Sequence, residues 1–282
     1  MRGKILLSFA ALLLIATLLL PLSCTRPSAD IVAGSSLIAN IIQDVADGKL
    51  EVRPLIPPGM CPGHYDVKPS DIEALSKSKA LFIHDYQQSF KNVMGLIEAA
   101  KNPNLIVKVI DVKGNWMVPP VQAEAVDRIA QALGEIDPEN SAYYQQKTEK
   151  RRQTILAKGE EIQSRLKEAK VSETKVICTE HQAGFIKWAG FDVIATYGRP
   201  EELSVANVER LVIKAKQAGV ALVIDNLQSG ATATSEAMAK DIEAVQVTMS
   251  NFPGGFKGTE TWEKAIDKNV DLLLQALNDW RQ

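Results

Sequence analysis

The chain has 282 residues, of which 46% are apolar, and a formal net charge of −2 at pH 7. Its 32 lysine and arginine residues are balanced by 34 aspartate and glutamate residues and form no basic block, so nucleic acid is not an expected partner. The length and apolar content predict a sizeable core in one large domain or two lobes.

The N-terminus is expected to be a targeting segment. Basic residues precede a long apolar run, and the run ends at residues 21–24 (PLSC) before the sequence turns polar. This order is typical of a secretory signal, although the run is nearly long enough for a spanning anchor. The PLSC ending resembles the lipobox of bacterial lipoproteins. It implies a signal peptide over residues 1–23 and an acylated Cys24 that begins a tether over residues 24–29, held at an extracytoplasmic membrane surface.

Short β-branched runs alternate with helical stretches after the tether. Buried strands are predicted at residues 30–35, 51–56, 80–85 and 105–110, with helices at 36–47, 70–78 and 88–100. The alternation is repeated later, with strands at 175–180, 191–197, 220–225 and 244–249 and helices at 182–189, 204–218, 234–242 and 260–280. Such alternation predicts parallel sheets with helices on both faces.

A different pattern separates these two blocks. A helical stretch over residues 120–134 is followed by a highly charged helix to about Lys170, which carries a narrow apolar stripe. A stripe with dense charge indicates one packed face and one solvated face. The predicted fold is α/β, with two mostly parallel sheets flanked by helices (lobes 30–118 and 171–282) and a long backbone helix in the joining segment (119–170).

Unusual polar residues follow several predicted strands. His64, His84, His181 and Asp225 all lie at or after the carboxyl ends of parallel strands, where α/β sheets place their ligands. Two lobes with facing carboxyl edges would enclose a cleft. Imidazole suits zinc and several other divalent metals, so the cleft is a candidate metal site.

The two cysteines that remain beside Cys24 each precede a histidine by three positions, in residues 61–64 (CPGH) and 178–181 (CTEH). In an oxidising compartment, Cys61 and Cys178 could be thiolate ligands or form one disulfide. Cys178 lies inside a predicted strand, where a small buried apolar role is the usual one. Cys61 lies in a loop and is freer to turn towards a ligand.

Residues 57–75 (PPGMCPGHYDVKPSDIEAL) resemble the PPG-x-DPH-x-YEP-x-PSD segment of the zinc- and manganese-binding solute receptors of bacterial ABC importers. Residues 116–120 (WMVPP), 137–144 (DPENSAYY), 181–184 (HQAG) and 250–255 (SNFPGG) are similar to further motifs of that family. The resemblance covers most of the mature chain. It implies a lipoprotein that captures a divalent metal and delivers it to an ABC permease and its ATPase.

The resemblance carries over only part of the family's ligand set. The first histidine aligns with Gly63, with His64 one position later, and the second aligns with Gly114. In the second lobe the third histidine matches His181, while the late carboxylate aligns with Asn251. A glutamate often found earlier in that lobe aligns with Asp225, and the histidine-rich loop of many zinc-specific members is missing.

Five residues are therefore predicted as metal ligands: His64, His181, Cys61, Asp225 and His84. Four of them would satisfy tetrahedral zinc, whereas manganese would need more oxygen donors, so zinc is the expected cargo and manganese or another divalent metal the alternative.

Two other interpretations stay open. Loss of family ligands would also fit a cleft that binds a metal chelate or a small organic molecule, which predicts a larger cavity lined by aromatic residues. A zinc hydrolase with Glu180 as base is the enzymatic alternative. The sequence carries no HExxH helix and no nucleophile elbow, and a non-enzymatic binding protein is expected.

Overall fold

The computed structural model describes residues 29–230 and 232–282. The predicted signal peptide, Cys24 and residues 24–28 of the tether lie outside these ranges. The described part contains two four-stranded parallel sheets with strand orders β2-β1-β3-β4 and β6-β5-β7-β8. The predicted α/β fold class of two lobes and a long joining helix is confirmed.

The first lobe contains four short strands and the helices that cover them. The strands are β1 Ile31–Ala33, β2 Val52–Pro54, β3 Ala80–His84 and β4 Ile106–Ile110. The helices are α1 Ser36–Ala46, α2 Pro69–Lys77 and α3 Lys91–Ala100, followed by α4 Pro119–Ile136. Every residue of β3 is buried, because this strand pairs on both sides and is covered on both faces.

The second lobe repeats this arrangement. Its strands are β5 Lys175–Thr179, β6 Asp192–Tyr197, β7 Leu222–Asn226 and β8 Val245–Met249. Its helices are α6 Glu180–Trp188, α7 Val205–Ala218, α8 Ala233–Asp241 and α9 Trp262–Arg281, and the long helix α5 Ser141–Glu168 precedes it.

Side-chain caps fix where several helices begin. Ser204 caps α7 by accepting a hydrogen bond from the backbone N–H of Asn207 at 3.2 Å. Helix α2 begins one residue before its predicted start at residue 70. Its first turn is held by the Asp71 carboxylate, which accepts from the backbone N–H of Lys68 at 2.9 Å.

Helix α5 joins the lobes. Its 28 residues span about 42 Å at 1.5 Å per residue. It packs against α1 and α4 on one side of the molecule and against α9 on the other. A turn at Pro138–Asn140 separates it from α4, because proline cannot continue the preceding helix.

One hydrophobic cluster extends through both lobes. It includes β1 and α1 of the first lobe, α4 and α5, and the strands and α9 of the second lobe. Two smaller clusters fill the opposite faces of the sheets, one beneath α2 and α3 and the other beneath α7 and α8. The lobes therefore share their main core.

Within the described ranges, no helix is both long enough and apolar enough to cross a membrane.

Candidate functional site

A cavity of about 580 Å³ lies between the lobes. Its walls come from the residues that follow the carboxyl ends of strands in both sheets, as the sequence predicted for a ligand cleft. The first lobe contributes Leu37, Cys61, Pro62, His84, Asp85, Tyr86, Phe90 and residues 112–116. The second lobe contributes Glu180, His181, Gly184, Arg199, Asn226, Gln228, Asn251 and Phe252.

The first-lobe wall is aromatic. A turn at Asp85–Ser89 follows β3 and brings Tyr86 and Phe90 to the cavity. The ring centroids of Tyr86 and Phe90 are 5.7 Å apart, and Tyr86 stacks on His84 at 5.0 Å with an interplanar angle of 14°. Trp116 meets His84 edge-on at 4.3 Å. These rings form an apolar surface suited to a planar ligand.

His84 is held inside this wall. Its side chain is buried, and its Nε2 atom lies 2.8 Å from the hydroxyl of Ser35. Burial lowers the pKa of His84 to about 3, against the opposing charge of Asp85, so the imidazole is neutral at physiological pH. Its contacts make it a structural support for the stacked rings.

The second-lobe wall pairs His181 with a guanidinium group. His181 lies at the start of α6, and the Nε atom of Arg199 donates towards its Nε2 atom at 3.4 Å. The desolvation of the ring between the cleft walls and the nearby charge of Arg199 lower the pKa of His181. The Nε2 atom of His181 thus accepts from a positively charged group.

The base of the cleft is a network of neutral amides. Asn115 donates from Nδ2 to the backbone oxygen of His181 and to Oδ1 of Asn251, both at 2.8 Å. Asn251 donates to the same His181 oxygen at 3.3 Å and to Oδ1 of Asn226 at 3.2 Å. Gln182 donates to that Asn226 oxygen at 3.1 Å. The position aligned with the family's carboxylate is therefore occupied by a hydrogen-bond donor.

The charged groups around the cavity are balanced. Among the described residues that line it, two are carboxylates, Asp85 and Glu180, and two are cations, Lys113 and Arg199. Asp85 forms an ion pair with Lys113. The cavity wall therefore carries no net negative charge to offset a divalent ion.

Three of the five predicted ligands line the cavity and two lie outside it. Cys61, His84 and His181 line the cavity, and Cys61 is a free thiol. His64 lies exposed in the same loop as Cys61. The carboxylate of Asp225 is buried outside the cavity, where it accepts from the Asn226 backbone N–H at 2.7 Å and from the Ser235 hydroxyl at 2.6 Å.

Cys178 has the structural role that its strand position predicted. It is fully buried in β5 as a free thiol, and burial raises its pKa to about 12. Over residues 29–230 and 232–282, no three or more histidine, cysteine, aspartate or glutamate side chains form a group that could hold a metal ion.

Sequence reasoning missed Arg199, Tyr86 and Phe90. Arg199 follows β6 in residues 197–202 (YGRPEE), so the rule that ligands gather at carboxyl strand ends would have identified it. The two aromatic residues were placed before or within a predicted helix at 88–100, whereas α3 begins at Lys91. The turn at Asp85–Ser89 has no comparable sequence signal.

Several solved structures share this fold. A crystal structure of ZnuA matches with a TM-score of 0.72 and 20% identity, over 89% of this chain and 99% of the other. The periplasmic zinc-binding protein TroA from Treponema pallidum matches with a TM-score of 0.74 and 16% identity, over 89% and 99%. A manganese-bound mutant of a periplasmic metal-binding protein from Candidatus Liberibacter asiaticus gives 0.73 and 14%, over 88% and 98%.

No curated protein matches the chain in sequence. The family model described as zinc-uptake complex component A, periplasmic, matches residues 31–276. The match covers both sheets, the joining helix and the cleft between them. The chain is thus a member of the zinc-uptake complex component A family.

Proposed function

We propose that this chain is the extracytoplasmic substrate-binding lipoprotein of an ABC importer. It captures a cargo that contains a divalent transition metal, with zinc as the first candidate, and delivers it to the permease and its ATPase. The observation that carries the proposal is the cavity between the carboxyl edges of the two sheets, with Cys61 and His181 in walls from different lobes. The family membership supports the same role.

Cys61 and His181 are the proposed protein ligands. Thiolate and imidazole are ligands that zinc prefers, whereas manganese favours oxygen donors. His84, His64 and Asp225 remain predicted ligands with less support, because His84 contacts Ser35, His64 lies outside the cavity and Asp225 is bonded to Ser235. Zinc is accordingly favoured over manganese.

The proposed location follows from the N-terminal sequence. Cleavage before Cys24 and its acylation would anchor the mature protein to a membrane surface. Incorporation of a labelled fatty acid tests this proposal. The label should be lost from a Cys24→Ala variant, and its persistence there would count against attachment at this residue.

Elemental analysis of the purified protein tests the cargo. Near-stoichiometric zinc is expected, and the double variant Cys61→Ala/His181→Ala should lose it. Cys178→Ala is the matched control, because it also removes a thiol but lies outside the cavity. The proposal fails if no transition metal is retained and if no metal, offered alone or in a complex, raises the melting temperature.

A further inference from the structure

We infer that the metal enters this cleft as a chelate, that is, a divalent ion already held by a small organic molecule with carboxylate groups, and that Arg199 binds one of those carboxylates. The inference rests on the proposed function and specifies the form of its cargo. Four features of the cleft support it.

The first feature is size. The cavity of about 580 Å³ falls within the range of about 300–1,000 Å³ found for organic-ligand pockets. One water molecule takes about 30 Å³ in the liquid, and an ion bound directly by side chains needs little more space than that. A bare ion would leave most of this volume unused.

The second feature is charge. Asp85 is engaged by Lys113. The other carboxylate in the wall, Glu180, is matched in number by the cation Arg199, whose own ion pair is with Glu201. A bare divalent cation would therefore bring its full charge to a cavity wall that carries no net negative charge, and part of its hydration would be lost without compensation. A chelate brings its own carboxylates and enters with most of that charge already compensated.

The third feature is the contact between Arg199 and His181. The Nε atom of Arg199 lies 3.4 Å from the Nε2 atom of His181, and the side chain of Arg199 is 23% exposed. This positive charge opposes an incoming cation at His181. The same group is well suited to a carboxylate, because its planar donors bind carboxylate oxygens in pairs.

The fourth feature is that the protein supplies few metal ligands, next to an aromatic wall suited to an organic molecule. The part of the chain that the structure describes offers no group of three metal-binding side chains, so Cys61 and His181 would leave coordination positions to be filled. A chelator fills them. Its planar groups would pack on the ring of Tyr86, which is 42% exposed, and beside Phe90.

Zinc binding measured with and without a chelator distinguishes a bare-ion cargo from a chelate cargo, because the two predict opposite changes in the amount of zinc bound. The metal-free protein is equilibrated with zinc chloride alone, with zinc plus two equivalents of L-histidine, and with zinc plus citrate, and bound zinc is measured after gel filtration. A chelator lowers the free zinc concentration, so a site for the bare ion must lose occupancy. We expect at least a tenfold gain in affinity with one of the chelators.

The variant Arg199→Gln tests the carboxylate contact. It should weaken binding of the preferred complex about 10- to 100-fold, the loss expected for a charge-assisted hydrogen bond, and leave binding of zinc alone unchanged or tighter. Arg210→Gln is the matched control, because Arg210 is exposed and contacts Asn207 outside the cavity. Thermal melts of both variants establish that they fold.

Failure of the inference is distinct from failure of the proposed function. If zinc alone binds tightly and every chelator reduces its occupancy, the inference is overturned and the proposed function stands. An unchanged affinity of Arg199→Gln for the complex also overturns the inference. If neither zinc nor any complex is retained, or if a chelator binds equally well without zinc, the proposed function fails together with it.

Discussion

The side chain of Asn251 shows how a single amide determines the chemistry of the cleft. Its nitrogen donates to oxygens of Asn226 and His181, and its oxygen accepts from Asn115. A carboxylate here would accept from Asn115 but would face two further acceptors without a proton to offer. The side chain at position 251 must therefore both donate and accept hydrogen bonds, which an amide can do and a carboxylate cannot.

Replacing Asn251 by aspartate should destabilise the protein in the absence of metal. The oxygens of Asn226 and His181 each lose one of two donors and face a carboxylate oxygen instead, which is expected to cost about 1–3 kcal/mol. Urea denaturation measures this loss, and Asn104→Asp is the control, because that asparagine is exposed in a loop. Equal stability of Asn251→Asp and the wild type would show that the amide network contributes nothing measurable.

His84 should make the stability of the protein depend on pH. Its pKa is about 3 in the folded state and near 6.5 when unfolded, so between these values the unfolded chain binds the extra proton. The contribution of neutral His84 to the free energy of unfolding is therefore fully present above pH 6.5 and is lost as the pH drops towards 3. At pH 4.5 the loss is roughly 2–3 kcal/mol, at about 1.4 kcal/mol per pH unit.

A His84→Gln variant should show a shallower decline in stability between pH 6.5 and pH 4.5. At pH 8 the imidazole is neutral in both states, so the variant and the wild type differ there only by the altered contacts of the side chain. Denaturant titrations at several pH values measure the difference. Parallel profiles for the two proteins would contradict this account of His84.

At the scale of the elements, Gly159 allows α5 to approach α4 closely. A Cβ atom added at Gly159 of α5 would lie 2.9 Å from the ring carbons of Pro119, the first residue of α4. Real Cβ atoms do not approach other carbons so closely, so the two helices would have to separate. The close packing of the joining helix depends on this residue.

Two glycine-to-alanine substitutions should therefore have opposite effects. Gly159→Ala gains helix propensity but overpacks the contact with Pro119, and a net loss of about 1–2 kcal/mol is expected. Gly95→Ala in α3 meets open space, and a gain of about 0.5–1 kcal/mol is expected. Denaturation curves of the pair check the prediction, and a stabilised Gly159→Ala protein would contradict it.

The sequence predicted the elements better than the cleft. Parallel strands are short apolar runs, so the eight strands of the described residues could be located before the structure was known. Their predicted burial was correct for the inner strands and wrong for the edge strands β2, β4, β6 and β8, which pair on one side only and are partly exposed. The amide network could not, because its members come together only in the folded chain, with Asn115 and Asn251 separated by 136 positions. The aromatic wall depends on the turn at Asp85–Ser89, whose local sequence resembles the start of a helix.

At the scale of the whole molecule, the two lobes are joined by more than a linker. The main hydrophobic cluster continues from the first lobe through α4 and α5 into the second. Direct hydrogen bonds also connect them, from Gln228 to the Pro58 carbonyl at 2.6 Å and from Ser36 to the Pro253 carbonyl at 2.7 Å. The lobes are expected to behave as one unit.

The protein should consequently unfold in a single thermal transition. Neither sheet keeps its side of the shared core if the other is lost, so calorimetric and van't Hoff enthalpies should agree. Ile129→Ala in α4 should lower the whole transition without splitting it, because Ile129 belongs to the shared cluster. Two resolved transitions, or a shift of only part of the signal, would show that the lobes unfold independently.

The backbone at Gly114 has a consequence for any attempt to redesign the cargo. Its φ angle of +101° is one that residues with a side chain rarely adopt, so a histidine placed there would strain the loop. An aspartate at position 251 would separately break the amide network. Each single step towards a bare-ion site is therefore unfavourable alone, and directed evolution from this chain would have to acquire the changes together rather than one by one.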